Sequence, residues 1–500
     1  MERRILLSKS QYCSAIQCPK MLWLKKNKPE VFDETVLNQA VLETGNEVGD
    51  LAMGLFGPYV EVPFGNLGEM IRQTKALLEK NTPVVTEASF SYHGLFCSVD
   101  ILKNLGDRRV EIFEVKSSTE VKPIHYHDAA FQAYVLTKLG FSVERVCIVH
   151  INNQYIRHGD LDLQQLFEIA DVTVEVRAML PDVETNLERF SEYLAQTEEP
   201  ADDIGTYCKD PYLCGFWGYC TRAVCSPSVF DLYRLDFSKK IDLYRRSIVS
   251  FRDLVGESGV MNDIRQRQIE YALNDKGDYV DREHIRGFLA QLRYPLYFLD
   301  FETVQPAIPR YEGTKPYAQI PFQYSLHYIE SEDGELKHLE FLSEPGTDPR
   351  RAIAERLCVD IPADACVTAY YKKFECSRLQ ELADTFPDLE AHLRSISDHV
   401  VDLLVPFQSG WYYNRAMGSS FSIKSVLPAL FPDDSSLDYH NLEQIHNGSE
   451  AMNAFPAMEQ MTPEEQEQTR RNLLKYCELD TYAMVKVWQK LTEAVDQSSL

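Results

Sequence analysis

No stretch of the sequence approaches the roughly 18 uninterrupted apolar residues that a membrane-spanning helix needs. The start, MERRILLSKSQYC, carries charge but not the long apolar core of a signal peptide. A cytoplasmic protein with no place in a membrane is therefore expected. Basic residues are also scarce: 51 Lys and Arg stand against 76 Asp and Glu, a formal charge of −25. That balance argues against a binder that works by blanket attraction to phosphate or anionic lipid, so nucleic acid would have to be met by a local basic groove or by bound cations. Neither an internal repeat nor a long low-complexity tract is present. GNLGEM and MGSSFSIK lack a Walker lysine, which leaves ATP binding unsupported and would make any helicase partner a separate chain.

With 500 residues, 44% of them apolar, the chain exceeds the size at which one hydrophobic core normally stops growing, and about two to three domains are expected. The spacing of Ile71, Ala76, Leu77 and Leu78 suits a helix over 71–80, while 84–91, 96–103 and 110–116 alternate or run apolar like strands. A helix over 126–139, ended by Gly140, and an apolar strand over 143–151 follow. TEEPADDIG (197–205) and PDDSSLD (432–438) read as solvated acidic loops. Between 231 and 293 the charges nearly cancel, 12 basic against 11 acidic, as in a charged helical connector. YPLYFLDFET (294–303) then opens a second strand-rich region, with a hairpin turning at Glu332-Asp333-Gly334. The reading is α/β: domain 1–228, connector 229–292, domain 293–492.

Asp100 ends the strand FCSVD, and EIFEVKSS carries Glu114 and Lys116 two residues apart, hence on one strand face. Adjacent strands can bring these three to one point. There the carboxylates would hold Mg²⁺ or Mn²⁺, and the ammonium would orient a water or stabilise charge on a phosphate. Glu87 in TEASF is a further candidate metal ligand, and Gln132 on the next helix a candidate support for Lys116 or the water. The order Asp, then E-x-K, then Gln resembles the PD-(D/E)XK nuclease superfamily, in particular its RecB-like branch. The resemblance spans roughly 1–228 and implies phosphodiester hydrolysis by Asp100, Glu114, Lys116 and Gln132. Where that branch usually has a histidine, LETGNEVGDLA offers Glu47 as an oxygen ligand, and Tyr134 lies only two residues beyond Gln132. His125 and His127, two apart on a helix, point away from each other and suit a structural or substrate-facing role.

Twelve cysteines without an export signal do not suggest a disulfide framework. Cys208, Cys214 and Cys220 recur every six residues in a loop rich in Gly, Pro and aromatics. No C-x2-C knuckle occurs, which weighs against zinc, whereas an iron-sulfur cubane tolerates other spacings but needs four thiolates. Cys18 in QCPKMLWL is the candidate fourth. One N-terminal and three C-terminal cysteines around a RecB-like core resemble the iron-sulfur nucleases of the AddB and CRISPR-associated exonuclease type. This implies a structural [4Fe-4S] cluster on Cys18, Cys208, Cys214 and Cys220, with Cys13 and Cys225 as spares. Cys97 and Cys147, in apolar strands, read as buried packing thiols.

In the second domain, YFLDFET puts Asp300 and Glu302 on one face of a buried strand, where they would repel unless a cation joins them. LLKYCELDTYAMVKVW puts Tyr476 and Asp480 on one side of a helix. This pattern resembles the DEDDy exonucleases of the DnaQ-like, RNase H-fold group over about 293–492. Glu375 in AYYKKFECSRL stands where that group has an Asp, and Tyr371 where it has an Asn; Asp402 is another strand-borne carboxylate. The whole resembles bacterial proteins whose C-terminal part is a domain of unknown function.

The resulting expectation is a restriction-endonuclease-like domain followed by an RNase H-like domain. Together they would form a metal-dependent nuclease acting on DNA more than RNA, from ends or on single strands, with a separate helicase or a repair or defence partner. Lys20, Lys25, Lys26 and Lys28, or Arg245, Arg246, Arg265 and Arg267, could track a nucleic-acid backbone. Trp217, Tyr219, Trp411, Tyr412 and Tyr413 could stack bases. The alternatives are a non-catalytic nucleic-acid-binding or assembly protein with a structural cluster, and an RNA exonuclease using only the C-terminal site.

Overall fold

The computed structural model describes residues 7–36 and 39–496. The chain forms two units of mixed α/β structure: one comprises residues up to Ala223 together with Pro306–Tyr317, the other Val224–Gln305 and the chain from Ala318 on. The charged stretch 229–292 is thus part of the second unit rather than a separate connector. It folds as short helices around its own apolar cluster, which includes Leu232, Leu243, Phe251, Leu254 and Ile269.

The first unit holds a seven-stranded sheet: β1 (Leu7–Ser8), β2 (Val60–Glu61), β3 (Val84–Tyr92), β4 (Leu95–Gly106), β5 (Arg109–Lys116), β6 (Ser142–Ile151) and β7 (Phe167–Asp171). The order is β2-β3-β4-β5-β6-β7, with β1 parallel to the start of β4. β3, β4 and β5 form an antiparallel meander, and β5 joins β6 in parallel through the crossover helix Pro123–Lys138. That helix begins with Pro123, whose missing N–H costs nothing in a first turn, and ends before Gly140, whose φ of +84° suits glycine. Alternation along the strands covers both sheet faces. Leu102 and Ile112 join Tyr12, Phe131 and Phe190 of the helices on one side, whereas Ile101 and Phe113 pack with Val48, Ala52, Ala307 and Ile308 on the other. Asp100 and Glu114 share the parity of Leu102 and Ile112 and so face the helices.

The second unit has a two-stranded ribbon, β8 (Tyr279–Val280) with β14 (Tyr412–Tyr413), and a five-stranded sheet. The sheet comprises β9 (Leu296–Val304), β10 (Ile320–Ile329), β11 (Lys337–Leu342), β12 (Cys366–Ala369) and β13 (Val400–Asp402), in the order β11-β10-β9-β12-β13. The expected hairpin is β10 with β11, and β9 runs antiparallel to β10 but parallel to β12. Leu299 and Phe301 enter the core on one face of β9. The opposite face meets a 34-residue helix, Pro463–Asp496. Its start is fixed by Thr462 and Glu465, each of which accepts a hydrogen bond from the other's backbone N–H. Among the described residues, no helix is long and apolar enough to cross a membrane.

Candidate metal and cluster sites

In the first unit Asp100, Glu114, Lys116 and Gln132 come together, with Gln132 engaging Glu114 and Asp128 rather than Lys116. Lys116 Nζ donates to Glu114 Oε1 (2.7 Å) and to Asp128 Oδ2 (2.6 Å). Gln132 Nε2 bridges Glu114 Oε2 (2.7 Å) and Asp128 Oδ1 (3.0 Å). Asp100 is held by the backbone N–H of Val115 (2.7 Å). Thr86 pairs with Ile101 and Ala88 with Val99, which sets Glu87 opposite Asp100 across the β3–β4 pair. Glu87 has a φ of +53°, an uncommon backbone for a non-glycine residue and one that clusters at functional sites.

Two members of this site were not singled out in the sequence. Asp128 lies one helical turn before Gln132, a spacing that could have revealed it. Lys9, on the helix Lys9–Gln17, is 2.6 Å from Glu114 Oε1, 3.5 Å from Asp128 and 3.9 Å from Asp100. The helix is placed by a capping box in which Ser8 and Gln11 each accept the other's backbone N–H. Burial, reinforced by Asp100 and Asp128, raises the Glu114 pKa to about 7. Burial alone would favour neutral Lys9, but Asp128, Glu114 and Asp100 outweigh it and keep the ammonium charged. Burial also disfavours the Asp128 carboxylate, yet Lys9 and Lys116 bring its pKa well below the ordinary range.

Glu47 is solvent-exposed on the helix Gln39–Ala52, and the charges acting on Glu87 include Asp50 and Glu61 instead. Tyr134 points toward Glu184. His125 Nδ1 accepts the Lys122 N–H at the start of its helix (3.1 Å), whereas His127 Nδ1 is buried without a hydrogen-bond partner.

Cys18, Cys208, Cys214 and Cys220 line one small cavity with Met21, Leu24 and Phe216. Burial raises the pKa of all four, to about 12 for Cys18 and about 11 for Cys208. Among the described residues no three of these sulfurs lie within 4.8 Å of one another, so they do not form a compact one-ion site. Cys13 instead stands near Asp128 and Lys116, and Cys225 is exposed. Cys97 and Cys147 are buried in the cores.

In the second unit Asp300, Glu302 and Asp480 each offer an oxygen within 4.8 Å of the others. Tyr439 OH donates to Asp480 Oδ1 (2.7 Å), and Cys477 Sγ lies 3.7 Å from Asp300 Oδ2. Lys424 Nζ is 3.2 Å from Tyr476 OH. Glu375, only 3% exposed, has its Oε2 buried without a hydrogen-bond partner. Burial first, and then the neighbouring carboxylates, raise Glu302 to about 8 and Asp300 well above its usual range. Burial lifts Glu375 to about 8 and Asp480 to about 6, the latter against the pull of Tyr439 and Lys424. Asp402 accepts the backbone N–H of Tyr371 (2.9 Å) and of Leu404 (3.0 Å). Asp300, half-buried, and the buried Glu302, Glu375 and Asp480, one of them with an orphaned oxygen and with Lys424 and Arg378 as nearby cations, suit divalent metal held by oxygen donors. Lys424, Tyr439 and Cys477 had no distinguishing motif in the sequence.

Several expected nucleic-acid contacts are engaged within the protein. Arg265 donates to the carbonyls of Tyr233, Arg234 and Val260, and Arg267 to that of Gly410. Lys20 and Lys28 pair with Glu199. Tyr412 and Tyr413 are buried, and Trp411 stacks on His284.

The family described as Domain of unknown function (DUF2779) matches residues 297–422. The match includes Asp300, Glu302 and Glu375 but stops before Tyr476 and Asp480. "Uncharacterized protein MG366 homolog" of Mycoplasma pneumoniae is 25% identical over 411 residues, covering 72% of this chain and 61% of that protein. "Uncharacterized protein UU173" of Ureaplasma parvum is 25% identical, over 42% of this chain and 33% of its own. "Uncharacterized protein MG366" of Mycoplasma genitalium is 24% identical, over 41% and 33%. The chain thus spans less than two thirds of the length of these relatives. No solved structure matches it significantly.

Proposed function

We propose that the protein is a metal-dependent nuclease that hydrolyses phosphodiester bonds of DNA, from ends or on single strands, with a structural [4Fe-4S] cluster. In this reading the first unit is PD-(D/E)XK-like and the second RNase H-like. The observation that carries it is the convergence of Asp300, Glu302 and Asp480, with Tyr476 one helical turn from Asp480 and Glu375 holding an unpartnered buried oxygen. Mg²⁺ or Mn²⁺ bound there would stabilise charge on the attacking and leaving oxygens of the phosphodiester.

The chain's own groups complete the site. Tyr476 offers a hydroxyl to position a water or a phosphate oxygen, and Lys424 keeps that hydroxyl oriented from 3.2 Å. In the first unit Asp100, Glu114 and Glu87 supply oxygen donors, Gln132 fixes Glu114, and Lys116 is placed to orient a water and offset phosphate charge. Cys18, Cys208, Cys214 and Cys220 would tie the N-terminal helices to the loop 206–220 through the cluster. The partner is nucleic acid, and any helicase is a separate chain.

A second reading is favoured by Lys9, whose ammonium already lies among the carboxylates of the first unit. There the first unit grips nucleic acid and the second alone cleaves it, on DNA or RNA. Release of acid-soluble nucleotides from labelled DNA in Mn²⁺, abolished by EDTA, tests the main reading; no release from any DNA overturns it.

A further inference from the structure

The second unit holds another convergence of metal-binding groups, on the same face of the five-stranded sheet as Asp300 and Glu302 but towards its β11 edge. His327 of β10 and His338 of β11 are cross-strand partners in the hairpin, with ring centroids 4.5 Å apart. Glu478 lies on the helix Pro463–Asp496 two residues before Asp480. Residues two apart on a helix diverge, so Glu478 turns to the hairpin while Asp480 turns to β9. One nitrogen from each histidine and one Glu478 oxygen lie within 4.8 Å of one another.

The surroundings orient the two rings. His327 Nδ1 is 2.7 Å from Thr481 Oγ1, and His338 Nε2 is 2.9 Å from Ser325 Oγ. The two hydroxyls are 2.7 Å apart, and Thr481 Oγ1 donates to the Glu478 carbonyl at 3.1 Å. One proton assignment satisfies the whole chain. His338 Nε2–H donates to Ser325, Ser325 donates to Thr481, His327 Nδ1–H also donates to Thr481, and Thr481 donates to the carbonyl. Each imidazole then gives its N–H to a fixed acceptor, which leaves its other nitrogen with the lone pair a metal requires. Histidine ligands are characteristically held by such outer hydrogen bonds.

We propose that His327, His338 and Glu478 form a transition-metal site, filled by Zn²⁺. Two imidazoles and one carboxylate favour a borderline cation over Mg²⁺, whereas the all-oxygen set at Asp300, Glu302 and Asp480 favours the hard cation. The two neighbouring sites therefore sort different metals. The zinc staples the edge strand β11 and its neighbour β10 to the helix that carries Tyr476 and Asp480.

The test is equilibrium dialysis of the full-length protein against buffered Zn²⁺, with metal content read by mass spectrometry. An Asp300→Asn/Glu302→Gln background silences the carboxylate site. Glu478 is exposed, so Glu478→Gln keeps both shape and fold; His338→Ala is the second variant, and circular dichroism checks each. The expected result is that both lose one zinc equivalent, its Kd weakened at least about tenfold, with iron and sulfide content unchanged. Retention of that equivalent by either folded variant overturns the proposal.

Discussion

Lys9 and Lys116 donate to the same oxygen of Glu114, at 2.6 and 2.7 Å, from a helix near the start of the chain and from the strand that carries Glu114 itself. Lys9 thereby supplies positive charge where a divalent cation would bind. Removing one partner of such a buried ion cluster leaves the others uncompensated, at a cost of about 3 kcal/mol. Lys9→Met is expected to lower the melting temperature in EDTA, and Mn²⁺ is expected to restore much more of the loss than it adds to the wild type. Equal Mn²⁺ effects on the two proteins would show that Lys9 and metal do not share the site.

The carboxylates of the second unit give a pH signature. Glu302 and Glu375 are raised to about 8 and Asp480 to about 6, so the metal-free folded chain holds more protons than the unfolded chain above the ordinary carboxylate range. Their contribution is fully present below about pH 4 and is lost as pH rises toward 8. Melting temperatures in EDTA should therefore fall across that interval, and saturating Mn²⁺, which replaces the protons, should flatten the decline. A metal-free stability that rises from pH 5 to 8 would contradict the assignment.

For the cysteine cavity, protein purified anaerobically should be brown, with iron and sulfide near four each per chain. Cys214→Ala should lose the visible absorbance, and Cys225→Ala, altering a thiol outside the cavity, should keep it. Colourless wild-type protein with full activity would remove the cluster from the account.

Tyr476→Phe keeps the buried ring and loses only the hydroxyl. If that hydroxyl positions the reacting groups, kcat should drop by about 10²-fold or more while KM changes little. Unchanged kcat would reduce Tyr476 to packing.

Much of the fold was readable because it is local. Alternating or continuous apolar runs marked β3 to β6, and the two-residue spacing of Glu114 and Lys116 set them on one strand face; that this face meets the helix bearing Gln132 is seen in the fold. The D-x-E pair of β9 and the Tyr476/Asp480 helix were likewise visible as one-face spacings. Lys9 was not, because its contact with Glu114 spans 105 residues and no local periodicity encodes such a pairing. Grouping of Pro306–Tyr317 with the first unit is hidden for the same reason; Arg157 donates to the Pro309 carbonyl and Tyr317 to that of Ser117. The pairing of His327 with His338 was within reach, since a turn at Glu332-Asp333-Gly334 nearly fixes the register. Glu47 misled because helical position alone does not say which turn faces the site.

The most direct measurement is digestion of end-labelled single- and double-stranded DNA and RNA in Mn²⁺ or Mg²⁺ by wild type, Lys116→Ala, Asp300→Ala and the double variant. The account predicts metal-dependent DNA cleavage by the wild type, a distinct activity lost in each single variant by about 10²-fold or more, and none in the double variant. Wild-type protein inert on every substrate, or a folded double variant as active as wild type, would contradict it.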